Sequence, residues 1–258
     1  MAKIFTIENL QYKNILKDIN FSLEEKTFNI LVGHNGSGKT TLVNCIRQVL
    51  EYQGNILITN QNIKNNSELH HKIGFFTNDE YVLEKNILDE LISFLINLGY
   101  TEEIAKRRIY NLSKKIGTTN ILYKNYDDLK KYEKTLVSFL FSVVHEPKIL
   151  IIDNELNSLD NNYKNKVLSY ITSLKKLTVL FITTCCDYFD LADSFIFIKD
   201  GKVVLSCNLE ELKNNEKLLI KVGSKLPFSI ELSNKLISYE LLKEIEPDIK
   251  KMVDLIWK

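Results

Sequence analysis

Apolar positions change period several times along the chain, and each change marks a predicted element. Ile4-Phe5-Thr6-Ile7-Glu8 alternates imperfectly, and Ile15–Leu23 carries apolar residues at Ile15, Ile19, Phe21 and Leu23. Such patterning predicts strands in an antiparallel meander. Phe28–Val32 is a short, mostly apolar run that feeds straight into Gly33, the pattern of a buried strand ending in a loop. Thr40–Leu50 then sets Leu42, Val43, Ile46, Val49 and Leu50 at helical spacing. Gly54 ends that unit, and Asn55–Thr59 restarts a strand.

From about residue 84 to 145 the pattern turns helical. Ile87, Leu88, Leu91, Ile92 and Leu95 form one apolar face,. Glu102–Lys115 is a more charged helix, and Leu136–Val144 is nearly all apolar, with Pro147 just beyond its end,. Strand patterning returns at Lys148–Asp153, Thr178–Thr183 and Phe195–Ile198. Asp200-Gly201 is a hairpin turn signal before Val203-Val204-Leu205,. The helix expected between the first two of these strands contains Val167, Ile171 and Leu174. Strand–helix–strand units of this length imply parallel pairing with helices on the sheet faces. The expectation is therefore an α/β fold with an N-terminal antiparallel β subdomain and a helical insert. Beyond about Asn208 the pattern predicts a short helix, a strand at Leu218–Val222 and a final amphipathic helix over Tyr239–Trp257. That last helix would carry Leu241, Leu242, Ile245, Ile249, Met252, Val253 and Ile256 on its apolar face.

Composition narrows the functional classes. The chain has 258 residues, 45% of them hydrophobic, enough to bury a core and too many for disorder. The net charge is +1, and the arginines are Arg47, Arg107 and Arg108. Bidentate readout of phosphates or bases by Arg clusters is hard to build from so few, and no nucleic-acid partner is expected. Cys45, Cys185, Cys186 and Cys207 contain no C-x-x-C pair and are expected to be reduced thiols in a cytosolic chain. The opening MAKIFTIENL has no long apolar core and no small-residue cleavage site, so no secretory leader is expected. Apolar stretches such as Leu136–Val144 fall far short of the ~18–20 residues that span a bilayer.

Glycine usage is the sharpest compositional signal. The chain holds 9 Gly in 258 residues, about half the usual ~7%, yet Gly33, Gly36 and Gly38 fall within six positions. Gly33-His34-Asn35-Gly36-Ser37-Gly38-Lys39-Thr40 matches G-x-x-x-x-G-K-[ST] in full,. Successive backbone N–H groups must turn inward toward phosphates, which demands conformations that glycine tolerates. The helix that follows offers its N-terminus to the same anion. Lys39 brings positive charge to the β- and γ-phosphates, and the Thr40 hydroxyl can ligate Mg²⁺. His34 occupies a position the motif leaves free. A nucleoside triphosphate is the expected ligand, held by Gly33, Asn35, Gly36, Ser37, Gly38, Lys39, Thr40 and Thr41.

The flanking residues resemble one family, the ATP-binding cassette (ABC) ATPases that power membrane transporters, over residues 1 to about 207. Ile7-Glu8-Asn9-Leu10-Gln11-Tyr12 with Ile15-Leu16-Lys17-Asp18-Ile19-Asn20-Phe21 resembles the family's first hairpin, and the resemblance implies that Tyr12 stacks on adenine. His145-Glu146-Pro147 through Asp153 resembles the Walker B strand, whose aspartate holds the Mg²⁺ shell. Asn157-Ser158-Leu159-Asp160 resembles the D-loop. Leu191-Ala192-Asp193 and Lys199-Asp200-Gly201-Lys202-Val203-Val204 resemble the closing strands. The fold implied is the P-loop NTPase core of the ABC type, with residues 1–207 as the ATP-binding domain, a helical subdomain over about 84–145, and a C-terminal extension over 208–258.

Four positions depart from the family. Asn154 stands where a glutamate polarises the attacking water, and an amide cannot take up that water's proton. A positioned general base contributes about 10²–10⁴ in rate. Glu155 is adjacent, but neighbouring side chains in an extended segment point to opposite sides, so it is a candidate rescue only. Thr184 stands where a histidine contacts the γ-phosphate. The signature Leu-Ser-Gly-Gly-Gln falls on Leu129-Lys130-Lys131-Tyr132-Glu133, where only the leucine survives. Asn78 replaces the Q-loop glutamine, a further Mg²⁺ ligand.

The resemblance implies a cytoplasmic subunit, peripheral on the inner face of a bacterial membrane. Its expected partners are a transmembrane subunit and a second cassette, in a homo- or heterodimer. MgATP binding should be intact and hydrolysis impaired. A slow but active homodimeric ATPase and a non-transport cassette acting on ribosomes or DNA are the alternatives.

Overall fold

The computed structural model describes residues 2–77, 81, 83–153, 155–184, 188, 191–213, 228–243, 245–246 and 249–257. Two compact units emerge. One comprises Met1–Ala2, Glu24–Lys26 and Gln61–Leu180; the other comprises Lys3–Leu23, Thr27–Asn60 and Phe181–Lys258.

The second of these carries the phosphate loop. Strands β1 (Lys3–Tyr12), β2 (Leu16–Glu24) and β4 (Gln53–Ile58) lie in the order β2-β1-β4. β1 and β4 are antiparallel, with Phe5 opposite Ile58 and Ile7 opposite Ile56. The expected alternation is met: Phe5, Ile7, Leu10, Leu16, Ile19, Leu23, Ile56 and Ile58 are buried. Strand β3 (Phe28–Val32) is buried throughout. It pairs in parallel with β9 (Ser194–Lys199), which pairs antiparallel with β10 (Lys202–Asn208). Helix α1 (Lys39–Ile46) leaves the loop after β3 and buries Leu42, Val43, Cys45 and Ile46.

Four of the described α-helices lie in the other unit. β5 (Gln61–Asn62) leads by short turns to β6 (Ile73–Phe76), which pairs in parallel with β7 (Ile149–Asp153). Strand β8 (Thr178–Thr183) begins in this unit and ends in the one with the phosphate loop. Between β6 and β7 come α2 (Ile87–Asn97), α3 (Glu102–Ile116) and α4 (Lys131–Val143); α5 (Asn161–Ser173) follows β7. Helix α3 is bounded by local chemistry. Thr101 accepts a hydrogen bond from the Ile104 N–H, Glu102 and Glu103 fill the first turn, and Lys114 and Lys115 the last. Gly117 closes it at φ +82°. Each charge suits the macrodipole at its end. Helix α4 buries Leu136, Val137, Phe139, Leu140 and Val143, and Phe139 meets Phe76 of β6 edge-on at 5.3 Å.

Several boundaries differ from the expectations. Helix α1 stops at Ile46 rather than Leu50, because Gln48 turns into the left-handed region at φ +58°. Gly54 does not end the helical unit but sits inside β4 at φ +90°, beside the irregularity between Glu8 and Gln11 of β1. Of the helix expected over Tyr239–Trp257, only its C-terminal part is helical among the described residues; α7 (Phe228–Ser238), which the pattern did not predict, precedes it, and α8 (Ile249–Ile256) lies inside it. Glu240, at φ +61°, lies just beyond the end of α7. A short α6 (Leu209–Lys213) follows β10 as expected. The strand expected at Leu218–Val222, together with Cys185 and Cys186, lies outside the described residues; Cys45 and Cys207 are buried and in no disulfide.

Gly74 marks the closest approach of β6 to α4. A Cβ there would run into the Ser142 carbonyl oxygen and come within 3.0 Å of Pro147 Cγ. Gly74→Ala should therefore lower the unfolding free energy by about 1–3 kcal/mol, the usual cost of overpacking. An unchanged urea midpoint would show that α4 moves aside freely.

Candidate nucleotide-binding site

The phosphate loop is built from backbone that side chains would obstruct. Gly36 and Gly38 lie at φ +78° and +101°, in the left-handed region. A Cβ at Gly33 would meet Ser37 Oγ at 2.5 Å, Ile198 Cγ2 at 2.6 Å and the Ile198 carbonyl oxygen at 2.7 Å. The Gly33 N–H donates to the Thr183 carbonyl at 3.3 Å, anchoring the start of the loop. Lys39 is buried, and its Nζ donates to the Gly33 and His34 carbonyls at 2.7 and 2.8 Å. The ammonium is thus folded back over the loop.

Two further observations fit a bound polyphosphate. Ser37 Oγ is buried and has no hydrogen-bond partner, a cost of about 1–3 kcal/mol that an anionic oxygen would relieve. Gly38 caps α1 without a side chain, and the first turn of α1 carries no acidic residue. The helix N-terminus therefore keeps its positive end for an external anion. Asn35 and Thr40 are exposed and Thr41 is half-buried at the mouth of the loop.

The remaining expected residues are positioned as follows. Tyr12 ends β1 half-buried, with Lys13 Nζ 5.1 Å from its ring centroid. Thr184 is exposed just after β8, while Thr183 is buried. Asp153 ends β7 half-buried. Asn78 and Asn154 lie outside the described residues. Glu155 opens a 3₁₀ turn, Glu155–Ser158; this corrects the expectation of an extended segment there, so strict alternation gives no direction for its side chain. No cluster of His, Cys, Asp and Glu able to hold a metal ion occurs among the described residues.

The family model described as ABC transporter matches residues 16–157, more than half of the chain. The chain belongs to the ABC transporter family. The energy-coupling factor transporter ATP-binding protein EcfA2 of Clostridium acetobutylicum is 30% identical over 256 residues, covering 89% of this chain and 88% of that protein. The EcfA protein of Aster yellows witches'-broom phytoplasma is 27% identical over 266 residues, covering 99% and 98%. Among solved structures, cbiO1 from Clostridium perfringens, part of the ABC transporter complex cbiONQ, has a TM-score of 0.70 at 25% identity over 91% of this chain and 100% of that one. An ATP-binding subunit of an ABC transporter reaches 0.78 at 20% identity over 85% and 99%, a likeness of fold.

The fold expected for this ABC subunit is therefore present, and ATP is the ligand its family binds, typically with Mg²⁺. The loop fits the triphosphate on the evidence of Ser37 and the three glycines. Thr40, at the start of α1, carries a hydroxyl oxygen of the hard kind that Mg²⁺ takes,. What the motif did not reveal is the framing of the loop by Ile198, at the end of β9, and by Gly201 just beyond it. The only sequence trace of that framing is the Asp200-Gly201 turn signal.

In this ABC chain the segment Leu129–Glu133 straddles the start of α4. Leu129 is buried; Lys130 and Lys131 are exposed. Tyr132 stacks on Tyr163 of α5, with ring centroids 5.9 Å apart and planes at 28°. Glu133 folds back to accept the Lys130 N–H at 2.8 Å, and Lys124 Nζ donates to its other oxygen at 2.8 Å. The helix start is thus closed by a carboxylate of its own chain. Thr135 and Ser158 share a hydroxyl hydrogen bond at 3.2 Å.

Lys39→Ala is expected to weaken ATP binding about 10–100-fold, the worth of a lost charge-assisted contact; titration calorimetry measures it, and an unchanged affinity would remove the loop from phosphate binding. The hydrogen bond from Lys124, then that from the Lys130 N–H, holds the Glu133 carboxyl below its ordinary value of 4.5. A depressed folded-state pKa gives stability that is full above the ordinary value and is lost as pH falls through the lowered one. The gap in unfolding free energy between the wild type and Glu133→Gln should be widest near neutral pH and narrow below about pH 4. A gap that is constant with pH would contradict this reading.

Proposed function

We propose that this chain is the nucleotide-binding subunit of a bacterial ABC membrane transporter in which MgATP binding is retained and hydrolysis is impaired. The observation that carries the reading is a contrast. The phosphate loop keeps all three glycines, Lys39 and an unsatisfied Ser37 hydroxyl, whereas the expected signature position is filled by Tyr132 and the inward-folded Glu133. Gly33, Asn35, Gly36, Ser37, Gly38, Lys39, Thr40 and Thr41 bind the phosphates, and Tyr12 stacks on the base. Thr40 is the phosphate loop's own Mg²⁺ ligand, and the family resemblance implies Asp153 and Asn78 as further ligands; Mg²⁺, when bound, would neutralise charge on the β- and γ-phosphates.

Asn154 holds the attacking water without accepting its proton, and Thr184 offers a short, uncharged hydrogen bond in place of an imidazole. ATP then acts as a clamp or regulatory ligand. The names of the EcfA relatives and of the cbiONQ complex support a partnership with a second cassette and a transmembrane subunit. No helix among the described residues is long and apolar enough to cross a membrane, so the chain would sit at the inner membrane face through that partner. Residues 1–207 are the cassette, 84–145 the surface nearest the transmembrane subunit, and 208–258 the extension.

The test is ATP turnover by the chain with its partner cassette and membrane subunit. Wild-type turnover should be slow, with ATP affinity intact, and Asn154→Glu should raise it about 10²–10⁴-fold. Turnover at the rate of a complete cassette, abolished by Glu155→Gln and not raised by Asn154→Glu, would move the base to Glu155 and overturn the impairment.

A further inference from the structure

One residue outside the phosphate loop is hydrogen-bonded both to the loop and to the strand that follows the Tyr12 turn. The Gly201 N–H donates to the Ser37 carbonyl at 3.1 Å, and the Gly201 carbonyl accepts the Lys17 N–H at 2.8 Å. Ser37 belongs to the phosphate loop. Lys17 is the second residue of β2, across the turn from Tyr12, and the Ile15 N–H of that turn donates to the Tyr12 carbonyl at 3.0 Å. A short hydrogen-bonded path therefore runs from Tyr12 through the β1–β2 turn and Gly201 to the loop.

Packing limits what residue 201 can be. Gly201 lies at φ +74°, a conformation that disfavours other residues. A Cβ there would run into the Ile15 carbonyl oxygen, with the Ile15 carbonyl carbon 2.8 Å and Leu16 Cα 3.3 Å away. All three are backbone atoms, which cannot rotate aside. The same turn also presses on the loop directly, since a Cβ at Gly38 would meet Leu16 Cδ2 at 2.7 Å. Gly38 is fixed by the phosphate motif. Gly201 is not part of that motif, lies more than 160 residues from it in sequence, and meets the same Ile15–Leu16 turn.

We propose that Gly201 is a positioning residue for the nucleotide: it fixes the spacing between the Tyr12 turn and the phosphate loop, so that base and phosphates are gripped together. The proposal rests on the reading of Tyr12 as the base-stacking residue. A side chain at 201 would push the β1–β2 turn off the loop. The phosphates would keep their backbone cradle, and the base would lose its place.

Binding of ATP and of inorganic tripolyphosphate separates these effects, because tripolyphosphate uses only the cradle. Gly201→Ala should weaken ATP about tenfold or more and tripolyphosphate less than about threefold. Tyr12→Ala should do the same, and the double variant should lose little beyond either single one, since both act on one contact. Equal losses for the two ligands in Gly201→Ala, or no loss for either, would overturn the proposal. A selective ATP loss in Gly201→Ala with Tyr12→Ala unaffected would support the spacing role and overturn the Tyr12 reading alone. Hydrogen exchange on the wild-type chain gives an independent check should Gly201→Ala fail to fold. ATP should slow the Gly201 and Lys17 amides more than tripolyphosphate does, and identical protection by the two ligands would overturn the proposal.

Discussion

A phosphate loop works by converging backbone amides on one point, and that convergence leaves no room for side chains. The rest of the nucleotide-binding unit follows from this constraint. Gly33 lies against Ile198, Gly38 against Leu16, and Ser37 takes a hydrogen bond from Gly201. Strand β9 and the turns at 13–15 and 200–201 are thus not only connections; they are the walls of the cradle. Strand β3 is buried throughout and β9 along all but its two end residues, so these walls stand on rigid ground. Each close contact limits its position to glycine or to one rotamer, and a change at a distant position such as 201 acts on the loop without belonging to it.

The other unit answers a different electrostatic problem. A helix start directed outward is a place where an anion can sit. In α1 that place is kept open by a side-chain-free cap. In α4 it is filled from within by Glu133, which Lys124 neutralises in turn. The two helices present opposite solutions in one chain, one helix receptive and one already satisfied. The proposed separation of gripping from cutting has this physical basis.

Much of this was legible in the residues. The strand periodicities, the run 28–33 and the full phosphate motif identify the fold and the loop, because each depends on local spacing. The late start of α8 was less so: apolar positions from Leu241 to Ile256 keep helical spacing, yet among the described residues only Ile249–Ile256 is helical, and Glu240 ahead of them takes a left-handed conformation. Gly54 read as a helix terminator because a lone glycine looks alike at a helix end and in an irregular strand. The role of Gly201 was invisible, since a turn signal says how the chain reverses but not what the reversed peptide touches. Glu133 was hidden for a similar reason. Its partner Lys124 lies nine residues away, across a loop whose path no periodicity describes.

The stacked pair Tyr132 and Tyr163 bears on how such a chain could change over time. In a cassette that lost its glycines by drift alone, restoring them would be a small step back. Here Tyr163 leans on the Tyr132 ring, and Thr135 and Ser158 bond across the same seam. Returning position 132 to glycine would strip Tyr163 of its neighbour and loosen the start of α5 from α4. The half-buried ring pair ties α4 to α5, so on the proposed reading of position 132 the way back would require several coordinated substitutions.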